Sequence, residues 1–183
     1  MPFIPTHIPD LVVFEPKVWR DDRGYFYEAY NAATFEAAGI TSKFVQDNQA
    51  LSTFGVLRGL HYQLPPYTQA KLVRVIQGEV LDVAVDIREG SSTYGQSFAI
   101  RLSEANKKQL FVPRGFAHGY VVLSDTAIFA YKCDNLYNKE ADAGVYFNDP
   151  HFKIDWQIDI EKVILSEKDK AQPKFGEHKK YKV

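Results

Sequence analysis

The residues of this sequence best suited to chemistry lie between Gly55 and Gly78. They are Arg58, His61 and Lys71. An imidazole has an ordinary pKa of about 6.5, so a histidine can accept a proton at neutral pH. A lysine ammonium stabilises negative charge that develops on an oxygen atom, and an arginine binds anions. The pattern therefore raises the hypothesis that His61 is a catalytic base. Taken alone, a histidine in such a stretch is more often a structural or surface residue, so the rest of the chain must decide.

The composition limits the class of protein. The chain has 183 residues, with 22 Lys plus Arg against 23 Asp plus Glu, and a formal net charge of −1. This balance offers no basic field for nucleic acid or for an anionic membrane surface. The single cysteine, Cys133, excludes an intramolecular disulfide, and no segment approaches the roughly 20 apolar residues of a membrane span. The N-terminus lacks a signal-peptide pattern, so we expect a cytoplasmic protein. The length suits one domain of ordinary size, so we expect a single domain over residues 1–183.

Short segments rich in β-branched and aromatic residues, separated by turn residues, predict a mainly β fold. These segments are 11–14, 24–30, 71–76, 80–87, 97–102, 109–112, 119–123 and 127–133. Asn31 as an N-cap and Gly39 as a C-terminal residue predict one short helix over 31–39. Several strands at this spacing predict an antiparallel sandwich or barrel.

Residues 80–87 alternate in a way that predicts a strand with two different faces. One face carries Leu81, Val83, Val85 and Ile87, and the other carries Asp82, Ala84 and Asp86. If the second face lines the interior of a barrel, Asp82 must be paired or hydrogen-bonded. If it faces water, Asp82 is merely solvated. The sequence leaves both alternatives open.

Two motifs resemble the signatures of the cupin superfamily of small β-barrels: the stretch around His61 and Pro113-Arg-Gly-Phe-Ala-His118. In metal-binding cupins the first motif supplies His-x-His and then a Glu seven residues before a Gly. This chain has His61, Gln63 and Lys71 at those positions, with Lys71 seven residues before Gly78. Because an ammonium repels a divalent metal and an amide is a poor transition-metal ligand, we expect no metal. The resemblance implies a cupin-type antiparallel β-barrel, or jelly roll, with a few short helices.

Polar residues of these motifs, together with a tyrosine of the 127–133 segment, are candidates for one cavity of a small barrel. They are Arg58, His61, Lys71, His118 and Tyr131. Such a set suits proton abstraction next to a carbonyl group: an imidazole removes the proton, an ammonium stabilises the enolate, and a phenol reprotonates from the far side. The period of the 127–133 segment places Tyr131 on a strand, and the alternative is a packed tyrosine with its hydroxyl at the rim.

A longer, ordered set of motifs resembles the dTDP-4-dehydrorhamnose 3,5-epimerase family. The motifs are Arg20-Asp-Asp-Arg-Gly-Tyr-Phe26 with Glu28, Phe44-Val-Gln-Asp-Asn48, Val56-Leu-Arg-Gly-Leu-His61, Lys71-Leu-Val-Arg74, Asp82-Val-Ala-Val-Asp86, Pro113-Arg-Gly-Phe-Ala-His-Gly119, Tyr131-Lys-Cys133 and Leu165-Ser-Glu-Lys-Asp169. The resemblance runs from about Leu11 to Pro173, nearly the whole chain. The ordered set is far more specific than either cupin signature.

This resemblance implies a cofactor-free isomerase that inverts C3 and C5 of dTDP-4-dehydro-6-deoxy-D-glucose to give dTDP-4-dehydro-L-rhamnose. His61 would remove both protons, and Asp169 would pair with it and favour the imidazolium. Lys71 would stabilise the enolate at O4, and Tyr131 would be the acid on the opposite face. Tyr137 would stack on the thymine ring, a contact worth roughly 1–3 kcal/mol.

The resemblance also implies a set of residues that bind the dTDP-4-keto-6-deoxy sugar. They are Arg23, Phe26, Glu28, Gln46, Asp47, Asn48, Arg58, Lys71, His118, Tyr137, Asp142 and Lys168. Asp142 stands where the family usually has Glu, and its shorter side chain reaches less far. The family further implies a homodimer whose N-terminal strands pair across the interface.

Two alternatives remain at the level of sequence. One is an epimerase that acts only at C3 of a related dTDP-4-keto-6-deoxy sugar. The other, from a different class, is a non-catalytic sugar-binding cupin or a metal-dependent cupin. Deuterium uptake at C3 alone would indicate the first, and a stoichiometric metal would indicate a metal-dependent cupin.

Overall fold

In the computed structural model, which describes residues 2–181, two antiparallel β-sheets face each other and a short hairpin stands apart. The strands are β1 (Phe3–Pro5), β2 (Val12–Phe14), β3 (Trp19–Asp21), β4 (Gly24–Phe26), β5 (Gln46–Thr53), β6 (Leu57–Gln63), β7 (Lys71–Gln77), β8 (Glu79–Asp86), β9 (Ser97–Ser103), β10 (Gln109–Val112), β11 (Phe116–Val122), β12 (Thr126–Cys133) and β13 (Asp142–Gly144). The helices are α1 (Ala32–Ala37), α2 (Glu167–Lys170) and a 3-10 turn at Ile160–Lys162.

The order of the strands is that of a double-sheet jelly roll. One sheet has the order β1-β2-β10-β7-β12-β5, and the other has the order β13-β6-β11-β8-β9. From β5 onward the chain passes repeatedly from one sheet to the other, whereas β3 and β4 form the separate hairpin. The prediction of a mainly β, cupin-type fold is confirmed.

Gly78 forms the corner at which the chain leaves β7 in one sheet and enters β8 in the other. Its φ is +79°, and a Cβ at this position would lie 2.1 Å from the carbonyl oxygen of Thr126. Only glycine suits a backbone with this φ and this close approach. The corner brings β7, which begins at Lys71, and β8, which carries Asp82, onto facing sheets.

The main hydrophobic core fills the space between the two sheets. It includes Val73 and Val75 of β7, Phe129 of β12, Val80 and Ala84 of β8, and Phe116, Tyr120 and Val122 of β11. A second cluster covers the outer face of the five-stranded sheet, where Leu81, Val83 and Val85 pack under the C-terminal part of the chain. Both faces of β8 are therefore buried, as its alternating pattern allows.

Asp82 lies between the sheets and is completely buried. Its two carboxylate oxygens lie 3.1 and 3.0 Å from Nε2 of His118 on the neighbouring strand β11. Of the two alternatives that the sequence left open, the structure selects the buried and paired carboxylate. A buried carboxylate requires such a partner because it has lost its water.

The predicted short helix is present as α1, and it begins where the sequence indicated. The Asn31 side chain accepts a hydrogen bond from the Thr34 amide, as an N-cap does. Phe35 is the buried side chain of α1 and packs against Phe14. The strand predicted over 24–30 is wrong beyond Phe26, because its pairing partner β3 is only three residues long. Within residues 2–181, the helices are too short and too polar to cross a bilayer.

The C-terminal residues 174–181 pack behind β6, the strand that carries His61. The Tyr62 hydroxyl donates a hydrogen bond to the Lys179 carbonyl oxygen at 2.6 Å. The imidazole of His178 stacks on Phe175 and is 2% exposed, and its Nδ1 accepts from the Gly176 amide at 3.2 Å. Burial lowers the pKa of His178, and the Lys180 charge adds to this effect.

We expect this buried histidine to make the fold sensitive to acid. Because the folded-state pKa of His178 is lowered, the unfolded chain binds the proton first as the pH falls below about 6.5. Its contribution to stability is complete above that pH and is lost as the pH falls towards the folded-state pKa. Urea unfolding at about pH 7.5 and about pH 5.5 should show a smaller stability difference in His178→Gln than in the unaltered protein.

The matched control is His7→Gln, because His7 is exposed. This variant should keep the full stability difference between the two pH values. An unchanged difference in His178→Gln would contradict the prediction.

Candidate active site

His61 on β6 and Asp169 on α2 form a direct side-chain contact between Nε2 and Oδ1, although they are 108 positions apart. Asp169 is 3% exposed, and the Ser166 hydroxyl donates a second hydrogen bond to its other oxygen at 2.9 Å. Ser166 is also the N-cap of α2. Burial alone would raise the pKa of Asp169, but the hydrogen bond and charge of His61 outweigh it and hold the pKa below its usual range. Asp169 is therefore an ionised carboxylate that orients the imidazole.

His61 lines a cavity of about 520 Å³ between the two sheets. The charged and polar lining residues are Arg58, His61, Lys71, His118, Tyr120, Tyr131, Ser166 and Asp169. A second cavity of about 410 Å³ shares His61, Lys71 and Tyr131 with the first and extends to Gln46, Asn48, Tyr137, Asp142 and Lys168. Cavities of a few hundred Å³ are the size of small-molecule sites in proteins. The two together form an extended cleft with His61 at their junction.

Lys71, the first residue of β7, lies opposite Cys133 of β12. Its Nζ lies 6.0 Å from the centre of the Tyr131 ring. Burial lowers the pKa of Lys71, whereas the neighbouring Cys133 and the carboxylates of Asp82 and Asp142 act in the opposite direction. The ammonium is thus placed in a weakly hydrated site, where it interacts strongly with negative charge.

Tyr131 lies on β12, as predicted, and its ring packs beside Phe129 with centroids 6.0 Å apart. Burial raises the pKa of Tyr131 to about 12. Its phenol is therefore protonated at neutral pH and gives up its proton only to a strong base. Tyr131 also lines the cavity, so it borders the same space as His61 and Lys71 in addition to packing against Phe129.

The second cavity contains an exposed aromatic ring and a pair of opposite charges. Tyr137 is 56% exposed, and its hydroxyl donates to Asp142 at 3.1 Å. Asp142 also pairs with the Lys168 ammonium. The Tyr137 amide donates to the Gln46 side chain at 3.0 Å, which fixes the loop that presents the ring. This end of the cleft is suited to a flat ring with polar edges.

Four of the predicted substrate-binding residues do not reach the cleft of their own chain. Arg23 and Phe26 lie on the exposed β3–β4 hairpin, where Arg23 pairs with Asp21 at 2.5 Å. Glu28 accepts a hydrogen bond from Asn31 at 3.2 Å, beside α1. Asp47 pairs with Lys132 at 2.6 Å, and its neighbours Gln46 and Asn48 line the cleft because successive residues of a strand point to opposite faces.

The cavity also contains residues that the sequence analysis did not single out as site residues. Tyr120 follows His118 by two positions on β11 and shares its face, so the period of the strand could have identified it. Ser166 lies within the Leu165–Asp169 motif, where the spacing Ser-x-x-Asp is a capping signal. Ile164 and Phe129 give the cavity its apolar wall, and no local signal marks Ile164.

The residues at the cupin metal positions have other partners in this chain. The Gln63 amide donates to the carbonyl oxygens of Tyr67 and Leu136 at 2.6 and 3.2 Å, and its oxygen accepts from the Asn138 amide at 2.7 Å. His61 contacts Asp169. Across the part of the chain that the structure describes, no three His, Cys, Asp or Glu side chains converge as metal ligands. The cleft holds groups that donate or accept protons and groups that stabilise charge.

The fold and this cleft define a cupin-type protein whose central polar groups are suited to proton transfer. The sequence model of the family described as dTDP-4-dehydrorhamnose 3,5-epimerase matches residues 5–177. An enzyme of that name from Shigella flexneri is 52% identical over 176 residues, which are 96% of this chain and 96% of the relative. The chain belongs to the dTDP-4-dehydrorhamnose 3,5-epimerase family.

Solved structures agree with this family assignment. The crystal structure of dTDP-4-dehydrorhamnose 3,5-epimerase from Elizabethkingia anophelis matches with a TM-score of 0.91 and 52% identity, covering 95% of this chain and 96% of that chain. The enzyme from Legionella pneumophila, described as a complex with dTDP-4-keto-L-rhamnose, matches with a TM-score of 0.92 and 50% identity. That match covers 96% of this chain and 93% of the Legionella chain.

The charges around Lys71 lead to a pair of predictions with opposite signs. Asp142 raises and Lys168 lowers the pKa of Lys71. We therefore expect Asp142→Asn to lower the pKa of Lys71 and Lys168→Met to raise it. An NMR titration of the lysine side chains, with Lys71→Met to assign the signal, measures both shifts. Shifts of the same sign in the two variants would contradict the assigned electrostatics.

Proposed function

We propose that this protein is an isomerase that inverts C3 and C5 of dTDP-4-dehydro-6-deoxy-D-glucose and gives dTDP-4-dehydro-L-rhamnose. The family assignment and the ligand named for the Legionella structure support this substrate class. The observation that carries the proposal is the His61–Asp169 pair in the same cavity as Lys71 and Tyr131. These are a base with its orienting carboxylate, a cation and an acid.

In the proposed reaction His61 is the base. The hydrogens at C3 and C5 are acidic because both carbons adjoin the C4 ketone, so the electron pair left behind moves onto O4. Since Asp169 contacts Nε2, the imidazole accepts the proton through Nδ1. The ionised Asp169 then stabilises the imidazolium, which is the role of a carboxylate behind a catalytic histidine.

Lys71 and Tyr131 act on the enolate. The Lys71 ammonium stabilises the negative charge on O4, and this interaction is strong because the site is poorly hydrated. Tyr131 returns a proton to carbon from the face opposite His61, which inverts the centre. A phenol whose pKa is raised to about 12 remains protonated until a carbanion of sufficient basicity forms. Each inversion leaves an imidazolium and a phenolate, and proton exchange with water restores both groups before the next inversion. The oxidation level does not change, so the reaction consumes no redox equivalent.

The nucleotide part of the substrate would occupy the second cavity. The exposed ring of Tyr137 offers a face for the thymine, and stacking of this kind contributes roughly 1–3 kcal/mol. Lys168, Gln46 and Asn48 supply polar contacts around it. Arg58 and His118, nearer His61, supply hydrogen bonds to the phosphate or sugar oxygens.

Solvent isotope exchange tests the separate roles of His61 and Tyr131. In deuterated water the unaltered protein should incorporate deuterium at both C3 and C5 of the substrate. We expect His61→Asn to lose both exchanges by at least about 100-fold, because general-base catalysis contributes a factor of this order. Tyr131→Phe should lose turnover more than exchange, since proton removal precedes the step in which Tyr131 acts.

Mass spectrometry of the recovered sugar measures this exchange. Exchange at C3 alone would indicate the alternative C3-only epimerase. Equal loss of exchange in the two variants would contradict the separate roles.

We propose in addition that the functional unit is a homodimer in which the partner contributes three of the four predicted residues that are missing from the cleft. The β3–β4 hairpin exposes Trp19, Tyr25 and Phe26 by 47%, 52% and 66%. β5, which supplies Gln46 and Asn48 to the cleft, is an edge strand with its backbone open to pairing. An exposed aromatic patch and an open edge are both features of protein interfaces. Docking the hairpin of one copy against the other would bring Arg23, Phe26 and Glu28 to the site.

The dimer is tested by light scattering after size-exclusion chromatography. The unaltered protein should have twice the mass of the 20.9 kDa chain. Phe26→Glu should shift the mass towards that of the monomer and reduce turnover together with it, because a charge cannot be buried unpaired at an interface. The control Ile160→Lys alters a 40% exposed residue of the 3-10 turn and should leave the mass unchanged. A monomeric unaltered protein with full activity would contradict the proposal.

The cytoplasmic location and the single domain over residues 1–183 stay predictions of the sequence.

A further inference from the structure

Tyr120 is a buried cavity residue for which the proposed reaction has no role. It lies on β11, two positions after His118, and pairs in register with Arg58 of β6 and Asp82 of β8. Its ring stacks on Phe129 with centroids 4.0 Å apart and planes 21° apart, and the residue is 4% exposed. The stacking leaves the ring little freedom, so its hydroxyl has a well-defined position.

The Tyr120 hydroxyl is buried and has no hydrogen-bond partner within residues 2–181. Burial raises the pKa of Tyr120, while the Ser52 hydroxyl and the Arg58 guanidinium, which lie near its oxygen but outside hydrogen-bond geometry, act in the opposite direction. The phenol is therefore a protonated group beside a cation, with an oxygen that can still accept a hydrogen bond. An unpaired buried hydroxyl is unfavourable, and such a group in a cavity calls for an explanation.

Arg58 provides that explanation. Its Nε donates to the Ser52 hydroxyl at 3.1 Å, and Ser52 is 5% exposed on the inward face of β5. This bond anchors one edge of the guanidinium, and the two terminal nitrogens carry the remaining N–H donors. A planar guanidinium binds an oxyanion well only when its orientation is fixed. One anchor leaves the fork free to rotate about that bond, whereas a second contact would define its plane.

We propose that Tyr120 is a positioning residue for substrate binding, whose unpaired hydroxyl accepts a hydrogen bond from Arg58 when a substrate oxyanion engages the other donors of the same guanidinium. Ser52 and Tyr120 then hold the guanidinium from two sides. The ligand class is a nucleoside diphosphate sugar, and in this respect the inference rests on the proposed function. Because the hydrogen bond to Arg58 forms when the oxyanion is bound, it strengthens binding without adding to the stability of the free fold.

The test is Tyr120→Phe, which removes the hydroxyl and keeps the ring that stacks on Phe129. Calorimetry with dTDP-glucose should show a Kd about 3- to 10-fold higher than that of the unaltered protein, the range expected for the net contribution of one ordinary hydrogen bond. The Tm of the free variant should be equal or higher, because an unpaired buried hydroxyl has been removed. An unchanged Kd, or weaker binding together with a lower Tm, would overturn the proposal.

Two comparisons separate this role from a general effect of the substitution. In an Arg58→Gln background, Tyr120→Phe should cause no further loss of affinity, and independent, additive losses would count against the proposal. Tyr94→Phe removes a hydroxyl that accepts a hydrogen bond from Lys180 at 3.0 Å and lines neither cavity of the cleft. This variant should leave the Kd unchanged.

The choice of ligand keeps this inference distinguishable from the proposed function. dTDP-glucose has no 4-keto group, so its binding does not depend on proton abstraction. Tight binding that weakens in Tyr120→Phe would support the inference even if no deuterium exchange were observed with the keto sugar. A failure of the unaltered protein to bind dTDP-glucose would overturn it.

Discussion

The contact between His61 and Asp169 is the interaction on which the arrangement of this protein depends. An imidazole at the wall of an apolar cavity has no defined orientation unless one nitrogen is bound, and a carboxylate that is 3% exposed requires a partner. The contact meets both needs at once. Ser166 caps α2 and donates a hydrogen bond to the Asp169 carboxylate, so this carboxylate is held in place to bind the imidazole. The short C-terminal helix therefore orients a group on a strand more than 100 positions earlier.

The jelly roll explains how so many polar groups share one interior. Lys71 and Tyr131 come from the six-stranded sheet, and His61 and His118 come from the five-stranded sheet. The two sheets are held apart by an apolar core, and the charges lie where that core opens to the cleft. Two of these charges have counterparts nearby: Asp82 contacts His118, and Asp82 and Asp142 support the charge on Lys71. Such pairing is what allows a set of ionised groups to exist beside hydrophobic side chains.

Much of the candidate site could be predicted from the sequence because its residues lie in motifs with specific spacing. The lysine seven positions before Gly78 argued against a metal carboxylate at that position, and alternation in the 127–133 segment placed Tyr131 on a strand. Alternation could not decide whether Asp82 faced water, because that depends on whether a second sheet covers the strand. Motif spacing also gave no reason to separate Arg23, Phe26 and Glu28 from the other binding residues, since a motif does not show where its residues lie in the fold.

The sequence by itself determined the mainly β class, the short helix after Asn31 and the family to which the motifs belong. These are local or cumulative properties, set by strand periodicity, capping chemistry and motif spacing. Only the tertiary structure decided that Asp82 is buried against His118, that Asp47 points away from the cleft towards Lys132, and that Tyr120 lies beside Arg58 with its hydroxyl unpaired. Those outcomes depend on which strands are neighbours and which sheet faces which, and residues distant in sequence meet only after the sheets have paired.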